Sequence, residues 1–162
     1  MATDAFIKII DIQGESRDSR HRDEIEVLSW AWGLSNPASA AAMGGGGRAQ
    51  KASFQDLSFT HLVDKASPNL MLSCASGRRH PEAKLTVRKP DPTTAEEFIL
   101  ITLSDVAVTS VQSTGTRGPE GLVEQVALNF ARVDFEYRPQ RPDGAPEAGV
   151  HFNWDLKRNT KV

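Results

Sequence analysis

From Ala5 to Ile12 the chain reads AFIKIIDI, rich in β-branched residues and followed by Gly14, and Glu24 to Trp32 repeats the theme as EIEVLSWAW. Runs of this kind, bounded by the charged stretch QGESRDSRHRDE, predict two strands joined by a polar loop. A third strand is predicted from Ala52 to Val63. The period then changes, because Leu70 and Cys74, and Met71 and Ala75, repeat at i,i+4. Ser67 reads as the N-cap of a short helix, Pro68 as its first position and Gly77 as its stop. Alternation resumes in AKLTVRK, EFILITL, VAVTSVQS, LVEQVALNFARVDFEYRP and VHFNWDL, separated by turn-rich segments such as PDPTT and PQRPDGAPEAG. Strands at this spacing predict one mainly β domain over residues 1–162: a small antiparallel barrel, or two packed sheets, flanked by one helix.

Two stretches carry more than one environment. In EFILITL, Phe98 and Leu100 face one way while Ile99, Ile101 and Leu103 face the other, so both faces are largely apolar and something must cover the outer one. A helix and further copies of the chain are the expected covers. Between Leu122 and Tyr137 the apolar phase is first even (Leu122, Val126, Leu128, Phe130) and then odd (Val133, Phe135, Tyr137). A strict period of two cannot change phase, which predicts a bulge or a change of partner near Ala131.

Charge and candidate chemistry narrow the function classes. The net charge of −2 and the scattered basic residues give no stripe that would draw nucleic acid. Cys74 is the one cysteine, so no intramolecular disulfide forms. The start, MATDAFIKIIDIQG, lacks the n-region and apolar h-region of a cleaved signal, and no apolar run reaches the roughly 20 residues of a membrane span. Cytoplasmic synthesis and no direct membrane insertion are the expectation. Gly44 to Gly47 invite a phosphate-cradle reading, but Arg48, Ala49, Gln50 and Lys51 replace the required Gly-Lys-Ser/Thr ending. That stretch reads as a long loop. His21, His61, His80 and His151 lack metal-ligand spacing, GESRD is no nucleophile elbow and reads as a solvated turn, and Glu24 with Glu26 reads as a wet strand edge. Arg78 and Arg79, just past the helix, suit its C-terminal dipole. The expectation is no enzyme, no cofactor and no metal.

The stretches DAFIKIIDIQGES, HRDEIEVLSWAWG, FTHLVDKASPNLMLSCASG, AKLTVRK, EQVALNFARVDFEYRPQ and WDLKRN together resemble the Hcp (haemolysin-coregulated protein) family of the bacterial type VI secretion system. The combination Ser-Trp-x-Trp-Gly, Asp-Lys-Ala-Ser-Pro and Trp-Asp-Leu-Lys carries the specificity, and the similarity runs along almost the whole chain. The resemblance implies a β-barrel like that of phage tail-tube proteins, assembled with itself as homohexameric rings that stack into a hollow tube. Effector proteins in the lumen, a spike at the tip and a surrounding sheath are the implied partners. Export to the outside or into target cells without a cleavable signal peptide would follow.

On this resemblance the loops 13–22 and 35–51 are inter-subunit or inter-ring contacts. Glu15, Arg17, Asp18 and His21 are the candidates in the first, and Asn36, Met43, Gly45, Arg48 and Lys51 in the second. Strand alternation sets Ser29 opposite Trp30 and Trp32 and together with Val27 and Ala31, which makes it either a lumen-facing residue or a small residue of the barrel core. Two other classes stay open at this level: a soluble chaperone or adaptor that binds effectors, and a small-ligand-binding barrel.

Overall fold

The computed structural model describes residues 3–37, 51–90, 96–118, 121–140 and 147–162. In chain order it holds β1 (Asp4–Ile9), β2 (Ile25–Val27), β3 (Ser29–Ala31), β4 (Leu34–Ser35), β5 (Ser53–Phe54), β6 (Leu57–Leu62), α1 (Ala66–Ser76), β7 (Arg79–Arg88), β8 (Glu97–Gly115), β9 (Leu122–Asn129), β10 (Arg132–Tyr137) and β11 (Val150–Asp155). Nine strands form one antiparallel sheet along the path β2-β1-β7-β8-β9-β6-β3, with β10 added to β8 and β11 to β10. The two ends of that path, β2 and β3, are consecutive pieces of chain separated by Leu28 alone. The sheet therefore curls until its ends meet in one segment, and the Leu28 N–H donates to the Thr60 carbonyl at 2.8 Å across the junction. β4 and β5 form a separate two-stranded arm.

The inward positions of this wall are the core. Ala5, Ile7 and Ile9 of β1, Ala83, Leu85 and Val87 of β7, Ile101 and Leu103 of β8, Leu57 and Phe59 of β6, and Val126 and Leu128 of β9 are all buried in one cluster. Each fully buried aliphatic contributes about 1.5–3 kcal/mol. α1 adds Ala66 and Leu70, both with no exposed surface.

The structure redraws several expected boundaries, each for a physical reason. EFILITL and VAVTSVQS are one strand, β8, with Asp105 at φ 56° absorbing the bend between them. β8 pairs β10 along its first half and β9 along its second, so the strand expected over 122–139 is two, with the break at Phe130 and Ala131. The predicted phase change near Ala131 is that change of partner. The 24–32 strand divides at Leu28 into β2, which pairs β1, and β3, which pairs β6. The 52–63 strand divides into β5 and β6, and β7 starts at Arg79 rather than Ala83.

The helix also starts two residues earlier than Ser67 as N-cap would place it. Asp64 accepts the Ala66 N–H at 2.9 Å, and Ser67 Oγ accepts the Asp64 N–H at 3.1 Å, so Ser67 sits inside the first turn and serves the cap from there. Pro68 falls in the same turn, where its missing N–H costs nothing. Gly77, at φ 70°, takes the left-handed stop that the sequence predicts.

A buried polar tie crosses three strands at the end of the barrel nearest that cap. His61 of β6 lies directly across from Glu124 of β9, and the two side chains, both with no exposed surface, meet at 2.9 Å. Ser113 of β8 donates to the other Glu124 oxygen at 2.9 Å. Removing one partner would leave the other polar group buried without compensation. Glu124→Ala is expected to cost about 3–5 kcal/mol, whereas the double change His61→Leu with Glu124→Leu should cost less than Glu124→Ala; urea denaturation of the purified variants measures both.

Candidate functional site

The first candidate loop, 13–22, is not slack between strands. Gly14 and Ser16 donate to the carbonyls of Asp23 and Glu24 at 2.8 and 3.0 Å, Asp23 donates back to Ser16 at 2.9 Å, and the loop thereby folds on itself. Gly14 is required by the close approach: a Cβ there would lie 2.4 Å from the Glu24 carbonyl oxygen. The expectation of a solvated GESRD turn is corrected at Ser16, which is 2% exposed. Within the loop the candidates divide. Glu15 and Arg17 stay exposed, with Glu15 Oε2 accepting the Lys65 N–H at 3.1 Å beside the helix cap.

Asp18 and His21 turn inward. The His21 ring is buried flat on Phe6, with centroids 4.6 Å apart, and its nitrogens face Glu24 Oε2 at 2.9 Å and Glu97 Oε1 at 3.1 Å. Glu24 is therefore part of this cluster and no wet edge; Glu26 stays exposed. Arg88 lies over the same Phe6 ring at 4.8 Å, grips Asp18 with two guanidinium nitrogens and reaches Asp4 at 3.5 Å. The loop thus covers Phe6, the first of an outer row Phe6, Thr86 and Leu100 whose members pair across β1, β7 and β8 and are all buried. Here a segment of the chain itself supplies cover that the sequence had assigned to a helix and further copies.

The second candidate loop emerges from the β4–β5 arm, where Leu34 pairs with Phe54 and Ser35 with Ser53. Asn36 and Lys51 flank the arm and are exposed; Met43, Gly45 and Arg48 lie outside the described residues. An aromatic cluster anchors the arm to the barrel. Phe54 faces Trp154 at 6.5 Å, Trp154 stacks on Phe152 at 6.4 Å, and Trp32 meets Phe152, Phe135 and Phe130 at 6.2–6.4 Å. Trp32 thus packs within this cluster, and Trp30 packs against the barrel core.

Ser29 is exposed and hydrogen-bonded to Thr60 on the neighbouring strand. Its expected company is wrong in one respect: Val27 is buried, while Ser29 and Ala31 face out, because the phase inverts at Leu28. The reading of Ser29 as a core residue falls with that. Arg78 and Arg79 do not serve the helix end either. Their guanidinium groups pair with Asp11 at 3.3 Å and Asp105 at 2.6 Å. His80 is buried between Ser73 Oγ and the Ile10 carbonyl, both at 2.9 Å; the carbonyl can only accept, so Nδ1 carries the proton there and Nε2 accepts from the Ser73 hydroxyl. That pair holds α1 against the end of β1.

What sequence reasoning missed is a set of outward apolar side chains. Leu28, Leu62 and Leu122 are 58%, 49% and 54% exposed, and they gather where the sheet path meets itself. α1 presents Pro68, Met71, Leu72 and Ala75, spaced as a helical stripe, to the outside, and Ala66–Ser76 contains no charged residue. The signal was available in the helix, where an uncharged surface stretch is unusual. It was not available at Leu28, whose exposure depends on the phase inversion. Among the described residues, no helix is long and apolar enough to cross a membrane. The arrangement as a whole is suited to holding surfaces in fixed positions.

The Arg88 guanidinium beside Asp18 holds its carboxyl down at about 2. A carboxyl held below its unfolded value near 3.9 adds stability that is complete above about pH 5 and is lost as pH falls toward 2. Asp18→Asn is expected to lower stability by about 1 kcal/mol at pH 7, discounted for the pair's partial exposure, with the gap between variant and parent closing toward pH 2. Thermal melts across that range check it. Gly14→Ala should cost about 1–3 kcal/mol by overpacking and show earliest as faster hydrogen exchange in residues 13–24.

Residues 6–137 match the family model described as type VI secretion system effector, Hcp. The chain is 49% identical over its full length, and that of the relative, to "Protein hcp1" of Pseudomonas aeruginosa. Among solved structures it superposes on Hcp1 from Salmonella typhimurium with a TM-score of 0.79 at 35% identity, all of both chains being covered. It also superposes on a structure described as a type six secretion system protein, with a TM-score of 0.92 at 30% identity, covering 99% of this chain and 100% of that one. With the same mainly antiparallel architecture, and with similarity along its whole length, the chain belongs to the Hcp family of the type VI secretion system.

Proposed function

We propose that this chain is a tube subunit: six copies close into a ring with an open centre, rings stack into a hollow tube, and effector proteins ride in the lumen. A spike at the tip and a contractile sheath outside are the remaining partners, and the tube leaves the cell without a cleaved signal peptide. The observation that carries this reading is the excess of outward apolar surface on a well-ordered barrel that belongs to a secretion family. Leu28, Leu62, Leu122, Met71, Leu72 and Val150 are each more than 40% exposed. On a small domain, apolar surface gathered this way marks contact with other protein.

In this reading the exposed Glu15 and Arg17, together with Asn36 and Lys51 at the foot of the arm, are contacts between subunits or rings. Ser29 faces the lumen. Asp18 and His21 act at one remove, by holding the 13–22 loop in the shape that presents Glu15 and Arg17. The buried His and carboxylate ties make the subunit stiff, which suits a component that transmits force.

Negative-stain electron microscopy of the purified protein, with light scattering for mass, tests the proposal. Open six-fold rings at about six times the chain's 17.7 kDa are expected. A compact monomer at high concentration would overturn it.

A further inference from the structure

Two surface features of opposite charge lie at opposite ends of α1. At the N-terminal end a groove of about 270 Å³ is lined by Glu15, Ser16, Glu26, Leu28, Leu62, Val63 and Asp64. Its floor is apolar and open, and it continues to Leu122, whose carbonyl accepts the Val63 N–H at 2.9 Å. Its rim is acidic: no Lys or Arg side chain among the described residues forms an ion pair with Glu15, Glu26 or Asp64. A groove of this kind favours an occupant that brings cations and some apolar surface.

The other end of the helix offers such a segment. Beyond Gly77, Arg79 and Lys157 share the Asp105 carboxylate at 2.6 and 3.6 Å, which sets Lys157, the first residue of the segment 157–162, close to the chain leaving the helix C-terminus. These residues include Lys157, Arg158 and Lys161 and no acidic side chain. The backbone is shaped rather than trailing: Asp155 and Thr160 are bridged, and the Arg158 N–H donates to Asp155 Oδ1 at 3.0 Å. The Lys157 side chain is 75% exposed and Val162 is 66% exposed. Eleven helical residues set the two features about 16 Å apart along the helix.

We infer that the acidic groove of one copy receives residues 157–162 of the next, a head-to-tail contact between subunits. The inference rests on the ring reading and names the surfaces that make it. An isologous contact through the groove would set carboxylates against carboxylates, which costs several kcal/mol. Pairing groove with basic segment satisfies both, and a heterologous contact repeated around an axis is the kind that closes a ring.

A charge-swap series tests it, followed by sedimentation velocity over a dilution series, with circular dichroism melts to check folding. Glu15→Lys with Glu26→Lys turns the groove from three carboxylates to a net +1 while keeping the capping Asp64, and Arg158→Glu with Lys161→Glu turns the three cations of the segment to a net −1. Each alone is expected to raise the concentration at which the assembly dissociates by at least about tenfold. All four changes combined in one chain should restore assembly to within about threefold of the parent, because every contact then pairs a reversed groove with a reversed segment. A parent that assembles while either reversal leaves its dissociation unchanged overturns the inference and leaves the ring reading standing. So does a pair of weakening reversals that the combination fails to rescue. A parent that stays monomeric overturns the ring reading, and this contact with it.

Discussion

The hydrogen bond from Leu28 to Thr60 marks the constraint on which the rest of the molecule depends: the sheet path ends where it begins. A strand of seven residues, 25–31, must serve β1 with its first half and β6 with its second. It does so by inverting its side-chain phase at one residue, so Val27 points into the core, Leu28 and Ser29 point out, and Trp30 turns back toward the barrel. That inversion exposes Leu28 at the floor of the acidic groove and delivers Trp32 into the aromatic cluster that anchors the arm. A sheet joined to itself in this way also leaves β2 and β3 with little free edge to template unwanted pairing.

A second corner answers the first. Asp105 bends β8 where its partner changes from β10 to β9, and Phe130 with Ala131 breaks the opposing strands at the same level. The Ala131 N–H donates to the Ser104 carbonyl at 3.0 Å, so the break remains satisfied. A left-handed aspartate is tolerable there because its carboxylate is gripped by Arg79, whose hydrogen bond, and then its charge, also lower the Asp105 pKa. The two corners divide the wall between a flank of β1, β7, β8, β10 and β11 and a flank of β6, β9 and the end of β8. Polar ties such as His61 with Glu124 then lock the strands of the second flank to one another.

Alternation and turn chemistry made most of the strands, the helix and its Gly77 stop legible in the sequence, and the even-to-odd switch after Phe130 foretold the corner. The bend of β8 at that same corner was hidden because Ser104 and Asp105 read as a turn between two strands, and nothing local distinguishes a turn from a bend that both halves survive. Leu28 was hidden for a related reason: its neighbours alternate well enough to read as one strand, and only the identity of the partners on either side reveals the inversion. The loop 13–22 misled through its composition. Charge density there suggested solvent, yet Arg88, Glu97 and Phe6, all distant in sequence, convert Asp18 into a half-buried tie and His21 into a buried one. Register decides such pairs, and register is a property of the sheet.

This internal ordering has a consequence for the proposed assembly. Fixing a residue's backbone costs about 1–2 kcal/mol, so a loop of ten residues ordered only on association would oppose it by roughly 10–20 kcal/mol. In this chain the 13–22 loop is held before any partner arrives, by Arg88 on Asp18, by the two carboxylates around His21 and by the reciprocal backbone bonds at Ser16. Glu15 and Arg17 are presented at no further entropic cost from their backbone. The same reasoning applies to residues 157–162, shaped by the bridge between Asp155 and Thr160. Both surfaces are preorganised, so the binding energy of modest, screened charge pairs and a few exposed leucines can appear as association rather than being absorbed in ordering the contact. A contact assembled from stiff parts is also one that an applied axial force deforms little, because the soft degrees of freedom have been removed within each subunit.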